Sequence, residues 1–195
     1  MEVCEKVLMI RVKTNQPNAS EIFLEALKEN KVIAYPTDTI YGVGTAVNND
    51  QGIDKINAMK KRQQPMSIAL ANFDIIKNRI MLNKYKLLKI QELLKDGSTC
   101  IATYKPGSFN NKITQDGKIG FRIPNHHFLK SVLNIYSQPI TTTSINEAGF
   151  EPLYEPDAIE EKFGDEIDLL LDDGIIKNNP SKIYMFKQDE IKQLR

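Results

Sequence analysis

Short apolar runs alternate along the chain with stretches in which apolar residues recur every third or fourth position, the mark of strands alternating with amphipathic helices. A first strand is predicted around Val7 to Val12. Asn18 or Ser20 then caps a helix that buries Ile22, Phe23, Leu24 and Leu27. The run Val32 to Tyr35 reads as a second strand. A short helix after Asp50 turns Ile53, Ile56 and Met59 inward and leaves Lys60, Lys61 and Arg62 at or beyond its C-terminal end.

Further strands are predicted at Ser67 to Ala71, Thr99 to Tyr104, Lys118 to Ile123, Pro139 to Ser144, Ile167 to Leu171 and Ser181 to Phe186. Between them fall a long amphipathic stretch from Asp74 to Leu94 and helices near His126 to Tyr136 and Pro156 to Phe163. The expected architecture is an α/β fold of one domain over residues 1–195. Its core is a mixed, twisted, open sheet of about seven strands with helices packed on it and an open polar cleft.

Bulk composition narrows the classes without choosing among them. Twenty-six basic and 25 acidic residues give a formal net charge of +1, so attraction to nucleic acid would need a local patch. Only Cys4 and Cys100 are present, with one adjacent pair of histidines, so neither a disulfide framework nor a zinc site is expected. No signal peptide or membrane-length apolar run is seen, and a cytoplasmic setting is expected.

Chemistry concentrates in VIAYPTDTIYGVG, Val32 to Gly44, where an apolar run breaks at Pro36 into hydroxyls, one carboxylate and glycines. Thr37, Asp38, Thr39 and Tyr41 can hydrogen-bond a small ligand, or simply close a turn on themselves. The Lys60–Arg62 triplet and TTTSIN, Thr141 to Asn146, also fall at ends of predicted elements, in an order that suits one shared cleft. There is no GxxxxGK[ST] or GxGxxG loop and no evident nucleophile pair, so catalysis by positioning and charge is the expectation. His126 and His127 read as helix-start residues without a carboxylate partner, and Asp172-Asp173 as a strand-ending turn. The lysines from Lys77 to Lys89 read as a solvated helix face.

Four ordered motifs make the chain resemble the YrdC/TsaC family of threonylcarbamoyl-AMP synthases over nearly its whole length. These are YPTDTIYGVG, Lys60 and Arg62 in a K-x-R pattern 23 residues after Thr37, GFRIPNH from Gly120 to His126, and PITTTSIN with Ser144 and Asn146 in an S-x-N pattern. The resemblance implies that L-threonine and bicarbonate form a carbamate that attacks the α-phosphate of ATP, giving threonylcarbamoyl-AMP and pyrophosphate. A downstream tRNA-modifying transferase would then load the threonylcarbamoyl group onto a tRNA adenosine.

On this resemblance Lys60, Arg62, Ser144 and Asn146 are the catalytic, ATP-binding set, and Arg195 closes the nucleotide site. Arg122 takes the threonine carboxylate, and Thr37, Ser67, Thr142 and Ser181 line the amino-acid pocket. Mg²⁺ is expected to be held mainly by the nucleotide phosphates and water rather than by protein ligands. The chain departs from the family pattern in placing Gln64 where a second lysine is common, in reading DGSTC at Asp96 to Cys100, and in reading SINEAG at Ser144 to Gly149. Two other readings therefore stay open: a paralogue acting on another acyl substrate, and a non-catalytic module that docks tRNA or double-stranded RNA.

Overall fold

A computed structural model describes residues 9–187 and 190–195. Cys4 and the start of the first predicted strand lie outside the described residues. The elements run β1 (Ile10–Lys13), α1 (Ala19–Lys28), β2 (Ile33–Tyr35), β3 (Gly42–Gly44), α2 (Asp50–Met59), β4 (Ser67–Ala69), α3 (Lys84–Lys95) and β5 (Thr99–Thr103). After these come β6 (Lys118–Arg122), α4 (His127–Tyr136), β7 (Ile140–Ser144), α5 (Pro156–Phe163), β8 (Leu169–Asp172), β9 (Ile183–Phe186) and β10 (Ile191–Gln193).

The strands form one mixed, open sheet in the order β1-β8-β2-β3-β7-β4-β6-β5-β9-β10. Ten strands replace the expected seven or so. The additions at Gly42–Gly44 and Ile191–Gln193 have little strand character of their own. β3 is a strand because β2 and β7 supply ladders on both its sides, and β10 because β9 does. The stretch from Asp74 to Leu94 is also not one helix. It is two short 3-10 turns followed by α3, which begins where the Asn83 side chain accepts from the Lys86 N–H at 2.9 Å.

Period-two alternation decides which strands are covered on which face. Val32, just before β2, and Ala34 on it enter one apolar cluster, with Ile53 and Ile56 of α2 and Ile159 of α5. Ile33 and Tyr35 enter a second, with Phe23 and Leu27 of α1 and Leu129 and Leu133 of α4. Each fully buried Val, Ile, Leu or Phe side chain among these contributes about 1.5–3 kcal/mol. Phe23 crosses both Tyr35 and Phe128 edge-on, with centroids about 6 Å apart, and so ties α1 to the sheet and to α4.

The other half of the sheet is covered on one face only. In β5 and β6, Cys100, Ala102, Ile119 and Phe121 are buried, whereas their alternates Ile101 and Gly120 are half-exposed. The α1/α4 layer stops before reaching these strands. Register places Gly42, Ser144, Thr142, Ser67 and Gly120 along the same side of the sheet as Tyr35, beside the point where that layer ends. The polar cleft opens there.

Candidate active site

The turn after β2 is organised by its own hydroxyl. Thr37 Oγ1 accepts from the N–H of Thr39 at 3.1 Å and of Ile40 at 3.3 Å, and donates to the Ile40 carbonyl at 2.7 Å. Thr37 is on the cleft wall, but this hydroxyl braces the turn. Asp38 points the other way. Its Oδ1 accepts from Arg122 Nη2 at 2.8 Å and from the Asn125 N–H at 3.1 Å. Its Oδ2 rests against Gly97, where an added Cβ would come within 2.7 Å; at φ +73° that position suits glycine in any case.

Arg122, at the end of β6, is thus held from behind by Asp38, while its Nη1 donates to Thr39 Oγ1 at 3.1 Å. Burial lowers its pKa and Asp38 opposes that shift; the group stays cationic. Its Nε is buried and has no hydrogen-bond partner among the described residues. Arg62 Nε shares that condition. Both arginines thus line the cleft while each keeps one buried donor unmatched, an exception to the usual pairing of buried polar groups.

How α2 ends separates Lys60 from Arg62. Lys61 is left-handed, with φ 51°, and the N–H groups of Lys61 and Arg62 return to the carbonyls of Ala58 and Asn57 at 2.9 and 3.1 Å. This is a Schellman motif closed by a lysine instead of a glycine. The reversal at Lys61 sends the flanking side chains to opposite sides of the wall. Arg62 faces the cleft, its Nη2 donating to Thr143 Oγ1 at 3.0 Å and its Nη1 to Gln64 Oε1 at 3.1 Å.

Lys60 faces inward and is 0% exposed. Its amine donates to the carbonyls of Ser144 and, at 2.9 Å, of Asn146, and to Asn146 Oδ1 at 2.8 Å. Burial, then the nearby Arg62 charge, push its pKa down to about 7. Asn146 is equally engaged: Oδ1 also accepts from Ser144 Oγ at 2.6 Å, and Nδ2 donates to the carbonyls of Glu147 and Phe150 at 3.0 and 2.8 Å. Lys60 and Asn146 are bonded to each other behind the wall, and neither lines the cleft. Of the expected ATP-binding set, Arg62 and Ser144 do.

The remaining wall comes from strand ends far apart in sequence. Ser67 and Thr142 are direct partners across β4 and β7. Ser181 shares a 2.9 Å hydroxyl contact with Thr99, and its carbonyl accepts from Arg195 Nε at 3.0 Å. β10 positions Arg195, and the ladder continues through it: the Ile183 N–H donates to the Arg195 carbonyl at 3.1 Å. Burial lowers the Arg195 pKa. The cleft, about 240 Å³, carries the guanidiniums of Arg62, Arg122 and Arg195, a lining rich in Thr and Ser hydroxyls, and no acidic side chain among the described residues.

Thr99 and Thr143 also belong to this wall, although neither is among the residues expected to line it. Their places at strand ends beside the other motifs were the available signal. Asp38 as the partner of Arg122 had no local signal, since 84 positions separate the two. His126 does have a carboxylate partner, Asp173 at 3.1 Å, contrary to expectation, but the pair lies away from the cleft wall. Asp172 pairs with Arg11 and accepts from the Gly174 N–H, as a strand-ending turn would. Of the Lys77–Lys89 face, Lys77 pairs with Asp74, Lys89 with Glu92, and Lys86 is buried.

With no carboxylate on its walls, the cleft does not fit a protein-held metal. Among the described residues no group of three His, Cys, Asp or Glu side chains is placed to hold one, and no helix is long and apolar enough to cross a membrane.

Fold and site together define an α/β protein with an open mixed sheet and a cationic, hydroxyl-lined cleft suited to an oxygen-rich anion. The family model Sua5_yciO_yrdC, described as telomere recombination, matches residues 25–195, and the chain belongs to that family. It is 30% identical over 175 residues to the threonylcarbamoyl-AMP synthase of Photorhabdus laumondii, covering 85% of this chain and 90% of that protein. It is 28% identical to a putative threonylcarbamoyl-AMP synthase of Methanocaldococcus jannaschii, over 90% and 84% of the two chains.

Among solved structures, E. coli YciO superposes with a TM-score of 0.82 at 18% identity, covering 96% of this chain and 93% of that one. P. abyssi Sua5 complexed with L-threonine gives 0.81 at 20% identity, covering 96% of this chain and 56% of Sua5. These two likenesses establish the shared fold.

Proposed function

We propose that this chain is an L-threonylcarbamoyladenylate synthase, a nucleotidyltransferase acting on L-threonine, bicarbonate and ATP. The observation that carries the reading is the charge of the cleft: three guanidiniums, abundant hydroxyls and, among the described residues, no acidic side chain. A triphosphate and an amino-acid carboxylate together demand such a surface. The name threonylcarbamoyl-AMP synthase, borne by relatives that match most of this chain, supports the same substrates.

In this mechanism the threonine ammonium gives up a proton to solvent, and the free amine then bonds to the bicarbonate carbon with release of water, leaving the carbamate. A carbamate oxygen then attacks the α-phosphorus, and the bond to the β-phosphate breaks as pyrophosphate leaves. Arg62 and Arg195 hold phosphate oxygens from two sides, with the Ser144 hydroxyl beside Arg62. Arg122, steadied by Asp38, takes the threonine carboxylate, which would replace Thr39 as the partner of Nη1. Ser67, Thr142 and Ser181 line the amino-acid end, and Thr37 shapes the turn beside it. Catalysis rests on orientation and charge, since among the described residues no wall hydroxyl is hydrogen-bonded to a carboxylate or a histidine. Were Mg²⁺ bound with the nucleotide, the phosphates and water would hold it and it would neutralise phosphate charge beside Arg62 and Arg195. The activated product suits a downstream transferase that modifies a tRNA adenosine.

The test is release of pyrophosphate and AMP-linked product from ATP, with threonine and bicarbonate omitted in turn. Both omissions should abolish turnover. Pyrophosphate release indifferent to threonine would overturn the assignment in favour of another acyl substrate, and RNA binding without any turnover would favour the docking module. Arg62→Ala should lower kcat/KM for ATP by the ~1.5–3 kcal/mol of a charged hydrogen bond; unchanged kinetics would remove Arg62 from the site.

A further inference from the structure

Lys60 is fully buried and has no carboxylate partner among the described residues. Every oxygen that its amine reaches is a neutral carbonyl: two from the backbone of Ser144 and Asn146, one from the Asn146 side chain. The clamp is doubled by the backbone, where the Ala148 N–H donates to the Lys60 carbonyl at 2.9 Å. The loop after β7 is thereby wrapped on the C-terminal end of α2. From that loop Ser144 alone of the S-x-N pair turns toward the cleft, its hydroxyl oriented by Asn146 Oδ1 at 2.6 Å.

We propose that Lys60 is a positioning residue and not a phosphate contact: from behind the wall its amine shapes the Ser144–Asn146 turn and fixes the Ser144 hydroxyl relative to Arg62. The inference rests on the nucleotide-binding reading above and divides the labour within it. The left-handed Lys61 is what makes the division, since it reverses the chain between an inward amine and an outward guanidinium. Three carbonyl oxygens would otherwise repel one another inside the turn, so a donor with several hydrogens is the group the turn requires. A methionine would fill the same space without donating, which makes Lys60→Met the informative variant.

Two experiments test this. In the first, wild-type protein is treated with formaldehyde and borohydride, free and with ATP, and lysine methylation is mapped by mass spectrometry. Lys60 should stay unmodified in both states, although its low pKa would make an accessible amine unusually reactive. Modification in the free protein that ATP suppresses would overturn the proposal, because a phosphate contact must be reachable before the ligand arrives. This arm needs no folded variant.

In the second, kcat/KM for ATP is compared in Lys60→Met, Ser144→Ala and the double variant. If Lys60 acts through Ser144, each single change should cost about ten-fold, the worth of one neutral hydrogen bond, and the double variant no more than the worse single one. Losses that multiply would make Lys60 an independent contact and overturn the inference. Wild-type enzyme that neither binds ATP nor needs threonine would count against the function, whereas a methylated Lys60 counts against the positioning role.

Discussion

Asp38→Ala isolates the support behind Arg122. The Arg122 side chain is 8% exposed and that of Asp38 19%, and they meet at 2.8 Å. Removing the carboxylate strands a buried guanidinium, a class of change that costs ~3–5 kcal/mol. Water reaching the partly exposed Asp38 position offsets some of this, so about 3 kcal/mol is expected. With a urea m-value of ~2 kcal/mol/M, the unfolding midpoint should fall by about 1.5 M at unchanged slope. Asp38→Asn keeps an acceptor for the Asn125 N–H and should lose roughly half as much. Arg122→Met added to Asp38→Ala removes the stranded charge and should recover at least ~1 kcal/mol. The reasoning fails if Asp38→Ala costs under ~0.5 kcal/mol, the range of ordinary surface changes. It fails equally if the double variant is the less stable one. KM for threonine should rise in Asp38→Ala with a smaller change in KM for ATP, because only the carboxylate end of the cleft has lost its support.

Two further outcomes follow from close packing and from charge burial. In Gly44→Ala the new Cβ would lie 1.8 Å from the Thr141 carbonyl oxygen, backbone that cannot rotate away; urea melts should show a loss above ~4 kcal/mol or no cooperative transition, and a wild-type midpoint would refute it. The Lys60 amine has a folded pKa of about 7 against 10.5 in its unperturbed state, so between these values the unfolded chain holds a proton that the folded chain lacks. The penalty is full below about pH 7 and shrinks as pH rises toward 10.5, while Glu147, the nearby carboxylate, is already engaged by Lys61 and Lys162. Wild-type stability minus that of Lys60→Met should therefore climb between about pH 7 and pH 9, and a flat difference in urea melts would contradict the burial argument.

Much of the architecture was legible because apolar periodicity is a local property. Helix α5 begins and ends at Pro156 and Phe163 as read, and Ile53, Ile56 and Met59 are the buried stripe of α2. β3 was not legible, because Gly-Val-Gly is a strand only by virtue of its neighbours. The break in the Asp74–Leu94 stretch carried a signal that was passed over: Asn72 and Asn83 each cap the element that follows, and a capping asparagine interrupts an apolar repeat. The polar sets were found, but not their division of roles.

For that division the spacing of Lys60 and Arg62 is uninformative. In an extended strand, residues two apart share a face; after a Schellman turn closed by a left-handed Lys61 they lie on opposite sides of a wall. Residue types alone determined that this chain folds as covered strands and helices, and that its cations and hydroxyls gather at strand ends. The tertiary structure alone decided that Asp38 steadies Arg122 across 84 positions and that Lys60 serves carbonyls inside the protein. It also decided that the cleft lies where the α1/α4 layer leaves the sheet bare. The reason is physical: periodicity and capping act over a few residues, whereas the partner of a buried charge is whatever group the topology brings within hydrogen-bond reach.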